Sequence, residues 1–443
     1  MDSWAIDRFQ ATALSITNGP SNIFRIVVVA IFPTQLFLKD VCLDGSDYNI
    51  RLYMTRIAIL GAGSGGAMTA NILRRKLDGD EAEITVVDKS TDHFYQPSFY
   101  LVPFGYLEPD QSRDINDLLK PGVEFVHDAV TGVDPDAQAV ALEDGDDLEY
   151  DYLVVATGHR LDPSAMPGLT EAWEDHDDVY PFYHYEAALE MREALENFDG
   201  GTFLVTQPDT PIKCPGAPLK MTMLAEDYFR RQGIRDDVEV IMTRNAEHHF
   251  GVQPYRDKLY EIWNDRDIEF KENFSVEEVD PDAGVVYGAD GEEIEYDLYA
   301  PVTPQFGQKP ITENSPLTEG SEDGEYVTID KHTCQHDGYD NVFALGDCEN
   351  APHSKTAAAA RKQAHIVGKN LTSLVQDKPM RAEYDGYAAC PLLTEKGKAM
   401  VAEFDYDGAI SAPVESKMNW IMDVNVLPSV YWDAWMKGYD PLP

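Results

Sequence analysis

Basic residues are scarce in this chain. Lys and Arg total 35 against 79 Asp and Glu, for a formal net charge of −44 over 443 residues. Such a surface repels nucleic acid and, at ordinary salt, anionic lipid, so no nucleic-acid partner is expected. Cysteine is also sparse: five residues cannot build a disulfide framework at this length, and each must be judged singly as a thiol. A long hydrophobic run is missing. Ile26 to Leu38, about 13 residues interrupted by Pro33 and Thr34, is too short to span a bilayer. Asp2 and Asp7 precede it, so the basic region of a signal peptide is absent, although Arg25 abuts the run. Residues 1–53 read as an upstream extension, with Met54 as the biological start; a membrane anchor or signal-like segment is the alternative. What is present argues for order. Hydrophobic residues make up 43% and aromatics 11%, enough for two or three packed domains. A folded chain this acidic fits a salt-saturated cytoplasm, where charge is strongly screened.

The most informative stretch is Arg56-Ile-Ala-Ile-Leu60 followed by Gly61-Ala-Gly63-Ser64-Gly65-Gly66 and a helical pattern to Leu77. Gly61, Gly63 and Gly66 have the dinucleotide spacing: a tight turn, a backbone approach to pyrophosphate, and close packing of helix on strand. The phosphates would sit on free N–H groups at the positive end of the helix. A second strand, Glu83 to Val87, ends at Asp88, placed to bind ribose hydroxyls. The loop His93-Phe94-Tyr95-Gln96-Pro97 follows and could lie along an extended dinucleotide or pack on the sheet. Val123–Val126 and Ala139–Leu142 read as strands around the turn at Asp134-Pro135-Asp136. Tyr152 to Val155 runs into Ala156-Thr157-Gly158, a small-residue backbone suited to a bound cofactor and a second mark of an FAD-binding half.

A second βαβ unit follows: Thr202–Thr206, a helix from Ala217 to Gln232, and Val238–Thr243. Its turn, Gln207 to Gly216, carries three prolines and no G-x-G-x-x-G, so a nicotinamide dinucleotide loses its pyrophosphate seat. In its place Cys214 stands near a helix N-terminus, beside Lys213 and with Lys220 one turn along. The helix dipole and both cations favour a thiolate over a merely structural cysteine. Asn341 to Asp347 is a strand ending in Gly-Asp, whose carboxylate can bind a ribityl hydroxyl. Ser354-Lys355-Thr356-Ala357-Ala358 then opens a helix through His365 to Asn370, capped by Ser354 or presenting its amides to the pyrimidine end of a flavin. His332-x-Cys334-x-His336 gives poor tetrahedral geometry on one strand, so no metal is assigned. The tail is rich in rings, with Trp420, Tyr431, Trp432, Trp435 and Tyr439. They suit a membrane interface, or a packing surface between domains or between copies in a homo-oligomer.

These stretches, with Ile212-Lys-Cys-Pro-Gly-Ala-Pro218, Asp385-Gly-Tyr-Ala-Ala-Cys-Pro391 and Ala402-Glu-Phe-Asp-Tyr406, resemble the sulfide:quinone oxidoreductases, in the branch that includes the mitochondrial enzymes. The resemblance runs from Arg56 to Tyr439. It implies an α/β fold of two Rossmann-like domains, as in FAD-dependent pyridine nucleotide-disulfide reductases. The FAD-binding domain would comprise 54–170 and 301–375, the second Rossmann-like domain 171–300, and a C-terminal interface region 376–443. It implies FAD contacts at Ser64, Gly65, Asp88, Gln96, Val130, Asp347, Lys355, Thr356, Ala357 and Ala358, and a redox pair at Cys214 and Cys390. Lys220 matches a quinone-pocket lysine, whereas a second such lysine falls at Asp423 here. Longer relatives continue past Pro443 in an amphipathic segment, so weaker membrane attachment is expected. The implied partners are sulfide, a quinone, a sulfur acceptor and the cytoplasmic side of the cell membrane, bound peripherally. Two rivals stand beside this: an NADH:quinone oxidoreductase of the same fold, which a second glycine fingerprint would support, and a flavin-binding redox sensor without turnover.

The charge excess points to a halophile, specifically a halophilic archaeon. Stability and activity should therefore need salt of the order of molar, because −44 unscreened charges oppose compaction. An unchanged melting temperature and full activity in dilute buffer would contradict this.

Overall fold

In this computed structural model the structure describes residues 54–440. The expected extension 1–53, with Cys42 in it, lies outside the described residues. The run read from the sequence is strand β1, Thr55–Leu60, whose residues from Ile57 to Leu60 are all buried. Helix α1, Ser64–Lys76, leads to β2, Ala82–Asp88, then β3, Val123–His127, and β4, Tyr152–Val155. The second unit consists of β5, Gly201–Thr206, helix α2, Ala217–Gln232, β6, Val238–Arg244, β7, Ile268–Glu272, and β8, Leu298–Pro301. The chain then returns through β9, Val342–Ala344, and helix α3, Ala357–Val375. A hairpin of β10, Ala388–Glu395, and β11, Lys398–Asp405, precedes the tail.

Two parallel sheets result, with strand orders β9-β4-β1-β2-β3 and β7-β6-β5-β8. Near-continuous apolar strands are what a parallel sheet requires when both its faces are covered. In the first sheet the strand order reverses between β1 and β4, which opens a crevice beyond their carboxyl ends. The chain is tight there. Gly61 has φ +96°, and a Cβ on it would lie 2.5 Å from the Ala156 carbonyl oxygen. A Cβ on Gly66 would lie 1.9 Å from the Gly61 oxygen, which is why α1 can sit this close to β1 only with glycine.

One sequence expectation changes, and two readings left open are decided. The turn at Asp134-Pro135-Asp136 joins Val130–Asp134, a strand not read from the sequence, to Ala139–Leu142. Val123–His127 instead forms the edge of the parallel sheet. Helix α3 is capped by Thr356, whose side chain accepts from the Ala359 amide, and not by Ser354. The tail is mostly packed inward: Trp420, Tyr431 and Trp435 are buried, Trp432 is half-buried, and Tyr439 is exposed. Tyr431 shares hydrogen bonds with Ser64 Oγ at 2.7 Å and His93 Nε2 at 2.6 Å, fastening the tail to the first turn of α1.

Gly66→Ala should lower the melting temperature by several degrees and empty the flavin site, since overpacking costs about 1–3 kcal/mol or more. Gly79→Ala, at a position where a Cβ meets nothing within 4 Å, should melt like the parent. Equal melting of the two variants would show that the close approach at Gly66 is unimportant.

Candidate functional site

The crevice opens into a cavity of about 810 Å³ bordered by both Rossmann units and the tail. The glycine turn contributes Gly61, Gly63, Ser64 and Gly65, the end of β2 contributes Asp88, and Gln96 starts the short turn Gln96–Tyr100. Gly158 follows β4, Asp347 follows β9, and Lys355, Thr356, Ala357 and Ala358 enter with the start of α3. Gly66 stands behind the wall in its packing role. Val130 does not line the cavity; it lies on its hairpin strand, packed against the core. Asp88 also braces the loop: its carboxylate accepts from the Ala62 amide at 2.7 Å and the Ser90 amide at 3.0 Å.

These residues fit an FAD. The N-terminal ends of α1 and α3 border the cavity without an acid in their first turns, so their amides remain electropositive toward an anionic group. A Cβ at Gly63 or Gly158 would meet nothing within 4 Å, leaving open space over the backbone. Thr157 Oγ1 and His159 Nε2 are buried at the cavity wall without hydrogen-bond partners, as polar groups are that await a ligand.

Cys214 sits where the second unit would otherwise have a glycine turn. Its φ of +47° is a left-handed conformation, strained for a residue with a side chain. Three contacts hold it there. Its amide donates to the Lys355 carbonyl at 2.6 Å, while the Tyr183 hydroxyl reaches the Lys213 and Cys214 carbonyls at 3.0 and 3.1 Å. Cys390 lies on β10 between Ala389 and Pro391. Those two line the cavity, and strand alternation turns Cys390 to the sheltered face. It packs against the start of α2 so closely that a Cβ on Gly216 would come 2.3 Å from its sulfur. The two thiols hydrogen-bond to each other, and both are free. The sequence pair is thus assembled, with Cys214 on the cavity and Cys390 behind it.

The hydrogen bond from Cys390 is the main cause that lowers the Cys214 thiol to about 6; burial opposes it, and Lys220 assists by charge and by its own hydrogen bond. Cys390 rises well above the usual thiol range, from that same bond and from burial. Lys220 is buried, with Nζ 3.5 Å from Cys214 Sγ and 3.9 Å from the centre of the Tyr100 ring. Burial opposes its charge, yet the two thiols and Asp423 outweigh that and hold the ammonium above its ordinary range. The remaining described cysteines lack such a setting. Cys348 donates to the Val155 carbonyl at 3.4 Å and is pushed up to about 11, mainly by burial; Cys334 is buried and raised further. His332 and His336 bond separate backbone carbonyls, those of Tyr384 and Leu317.

Some of the site was not legible beforehand. Tyr100 and Tyr183 gave no signal, since both lie outside the motifs. Gln363 did give one: a polar residue on the buried, alanine-rich face of α3. It accepts from the Gly346 amide at 2.8 Å and donates to Glu349 at 2.9 Å, which also pairs with His353; this steadies the loop that carries Asp347.

Comparison with known proteins places this geometry. A family model described as pyridine nucleotide-disulphide oxidoreductase matches residues 55–196. The chain is 31% identical over 420 residues to the mitochondrial sulfide:quinone oxidoreductase of Mus musculus, covering 92% of this chain and 90% of that protein. It is 34% identical over 396 residues to the corresponding protein of Dictyostelium discoideum, covering 87% and 86%. The crystal structure of the Aquifex aeolicus sulfide:quinone oxidoreductase superposes with a TM-score of 0.73 at 20% identity, over 87% of this chain and 92% of that one.

A thiol lowered to about 6 is largely thiolate at neutral pH. Iodoacetamide at pH 7 should therefore label Cys214 ahead of Cys334, Cys348 and Cys390, and labelling should fall away as the pH drops through about 6. Lys220→Met should move that inflection upward and slow labelling below neutrality about tenfold for each unit of displacement. Peptide mass spectrometry reads both results; an inflection unmoved in the Lys220 variant would remove the lysine from this account.

Proposed function

The chain belongs to the sulfide:quinone oxidoreductase family, and we propose that it oxidises sulfide at the Cys214–Cys390 pair and passes the electrons through FAD to a quinone. The observation that carries this reading is the meeting of those two thiols at the cavity of the glycine fingerprint, in the turn that replaces a nicotinamide seat. FAD would be held by the amides of Gly63 to Gly65, by Asp88 and Asp347, and by the first turn of α3. Bound there, FAD supplies the two-electron acceptor that the sulfur chemistry needs and the donor for quinone.

In the oxidised pair, hydrosulfide attacks one sulfur of a Cys214–Cys390 disulfide. The S–S bond breaks, a new S–S bond makes a persulfide, and the other cysteine leaves as thiolate. The thiol of lower pKa is the better leaving group, so Cys214 leaves and Cys390 carries the persulfide. Lys220 stabilises the departing charge from 3.5 Å. The thiolate is thereby released on the cavity side, and the persulfide is sheltered until a thiophilic acceptor, a second sulfide or another thiol, takes its outer sulfur. Peripheral attachment to the cell membrane is supported by exposed Ile410, Val414 and Met418, 54%, 62% and 64% exposed, with Val414 at the cavity itself. The buried tail rings do not supply this surface. Among the described residues no helix is long and apolar enough to cross a membrane.

Under anaerobic conditions sulfide should bleach the flavin absorbance and NADH should not. Cys214→Ser and Cys390→Ser should each keep FAD yet lose most sulfide-dependent quinone reduction. The double variant should be no worse than either single one, because groups acting as a unit are not additive. Rapid bleaching by NADH alone would overturn the assignment.

A further inference from the structure

The turn Met422–Val426 is a single π-helical turn between a short helix, Lys417–Ile421, and the helical turns of Leu427–Asp433. It places an acid, Asp423, in the cavity wall, with Met422 and Leu427 beside it. Asp423 is 4% exposed, and its Oδ2 is buried without a hydrogen-bond partner. A buried carboxyl that is not satisfied by the protein is costly unless it is protonated or meets a ligand. Its bearing on the sulfur chemistry is indirect, through the charge of Lys220. Single π-helical turns of this kind are frequent at functional sites.

We propose that Asp423 is the acid that protonates the quinone when it is reduced in this cavity. The inference rests on the sulfide:quinone reading and adds a catalytic residue to its second half. A quinone becomes a quinol by gaining two electrons and two protons. Bound FAD would supply the electrons and one of the protons. The second proton comes from Asp423: the O–H bond of the carboxyl breaks and an O–H bond forms on the quinone oxygen. A carboxylate is left facing Lys220, and a proton from solvent restores the acid.

The surroundings suit an acid poised for that work. The titratable groups facing Asp423 are Lys220 on α2, Cys214 in the preceding loop, Cys390 on β10, and Tyr95 and Tyr100 around the Gln96–Tyr100 turn. Burial raises the Asp423 carboxyl to about 7; Lys220 works against that rise and Cys214 adds to it. It is therefore part acid and part carboxylate near neutrality, the range in which a general acid is most effective. The acid form donates, so the step is full at low pH and is lost as the pH rises through about 7.

Stopped-flow reoxidation of the sulfide-reduced holoenzyme by a short-chain ubiquinone tests this. The wild-type reoxidation rate should fall as the pH rises through about 7. Asp423→Asn should cut it about a hundredfold, chiefly in kcat rather than KM, and abolish its pH dependence, and Asp423→Glu should recover part of the rate. The infrared spectrum of the oxidised enzyme below neutrality should contain a protonated carboxyl band that Asp423→Asn removes. If sulfide bleaches the flavin and the Asn variant then reoxidises at the wild-type rate with the wild-type profile, the inference falls and the sulfide:quinone reading stands. If sulfide does not bleach the wild-type flavin, that reading itself falls. If the Asn variant sheds its flavin, the wild type decides: reoxidation that does not decline through neutrality overturns the proposal.

Discussion

A buried ammonium governs this site. Lys220 is 1% exposed, and removing such a charge from water costs several kcal/mol unless anionic partners stand close. The partners are the Cys214 thiolate at 3.5 Å and the carboxyl of Asp423 across the cavity. Cys390 first, and the cation with it, keep Cys214 ionised against its own burial. Neither group is stable in its charged form alone, so the site is a mutual arrangement of charges. Its position follows from the fold: Lys220 is in the first turns of α2, and α2 starts where β5 hands the chain to the turn Gln207–Gly216.

That turn shows how one scaffold exchanges one chemistry for another. In the first unit three glycines let α1 come within contact of β1 and leave free amides at the crevice. In the second unit the same topological position is filled by a proline-stiffened loop, tied by the Lys213 amide to the Gln305 side chain at 3.0 Å and by the Cys214 amide to Lys355. The left-handed conformation of Cys214 is sustained by these ties. Gly216 then lets Cys390 approach, since any side chain there would strike its sulfur. The cost of strain is met by local bonds, and the result is a thiol pair from distant parts of the chain.

Much of this was legible because the informative signals were local. β1, α1 and β2 follow from an apolar run, a glycine turn and an acid, and the second βαβ unit from periodicity alone. Cys214 stood out because a reactive residue replaced an expected glycine. Cys390 had no local signal and entered only through the resemblance to a family. The errors share one cause, namely that composition does not report packing. Ser354 and Thr356 are both good caps, and only the backbone path selects Thr356. The rings of the tail have the amphipathic character of an interface, but Tyr431 spends its hydroxyl on Ser64 and His93 inside the protein. Val130 entered only through the resemblance, and it sits on a hairpin strand outside the cavity lining.

The global charge gives the cavity its further meaning. With 79 acids and 35 bases, the surface field opposes any anionic substrate, hydrosulfide included. Against that background four cations, Lys213, Lys220, Lys355 and Arg361, line one cavity together with four acids, Asp88, Asp347, Glu403 and Asp423. High salt screens the repulsion over the exposed surface within a few ångströms at molar strength, but it screens buried charges far less. The charge pairing of Lys220 with Cys214 therefore persists under the very conditions that silence the surface. A chain this acidic can hold a thiolate because the cation beside it, Lys220, is buried with it.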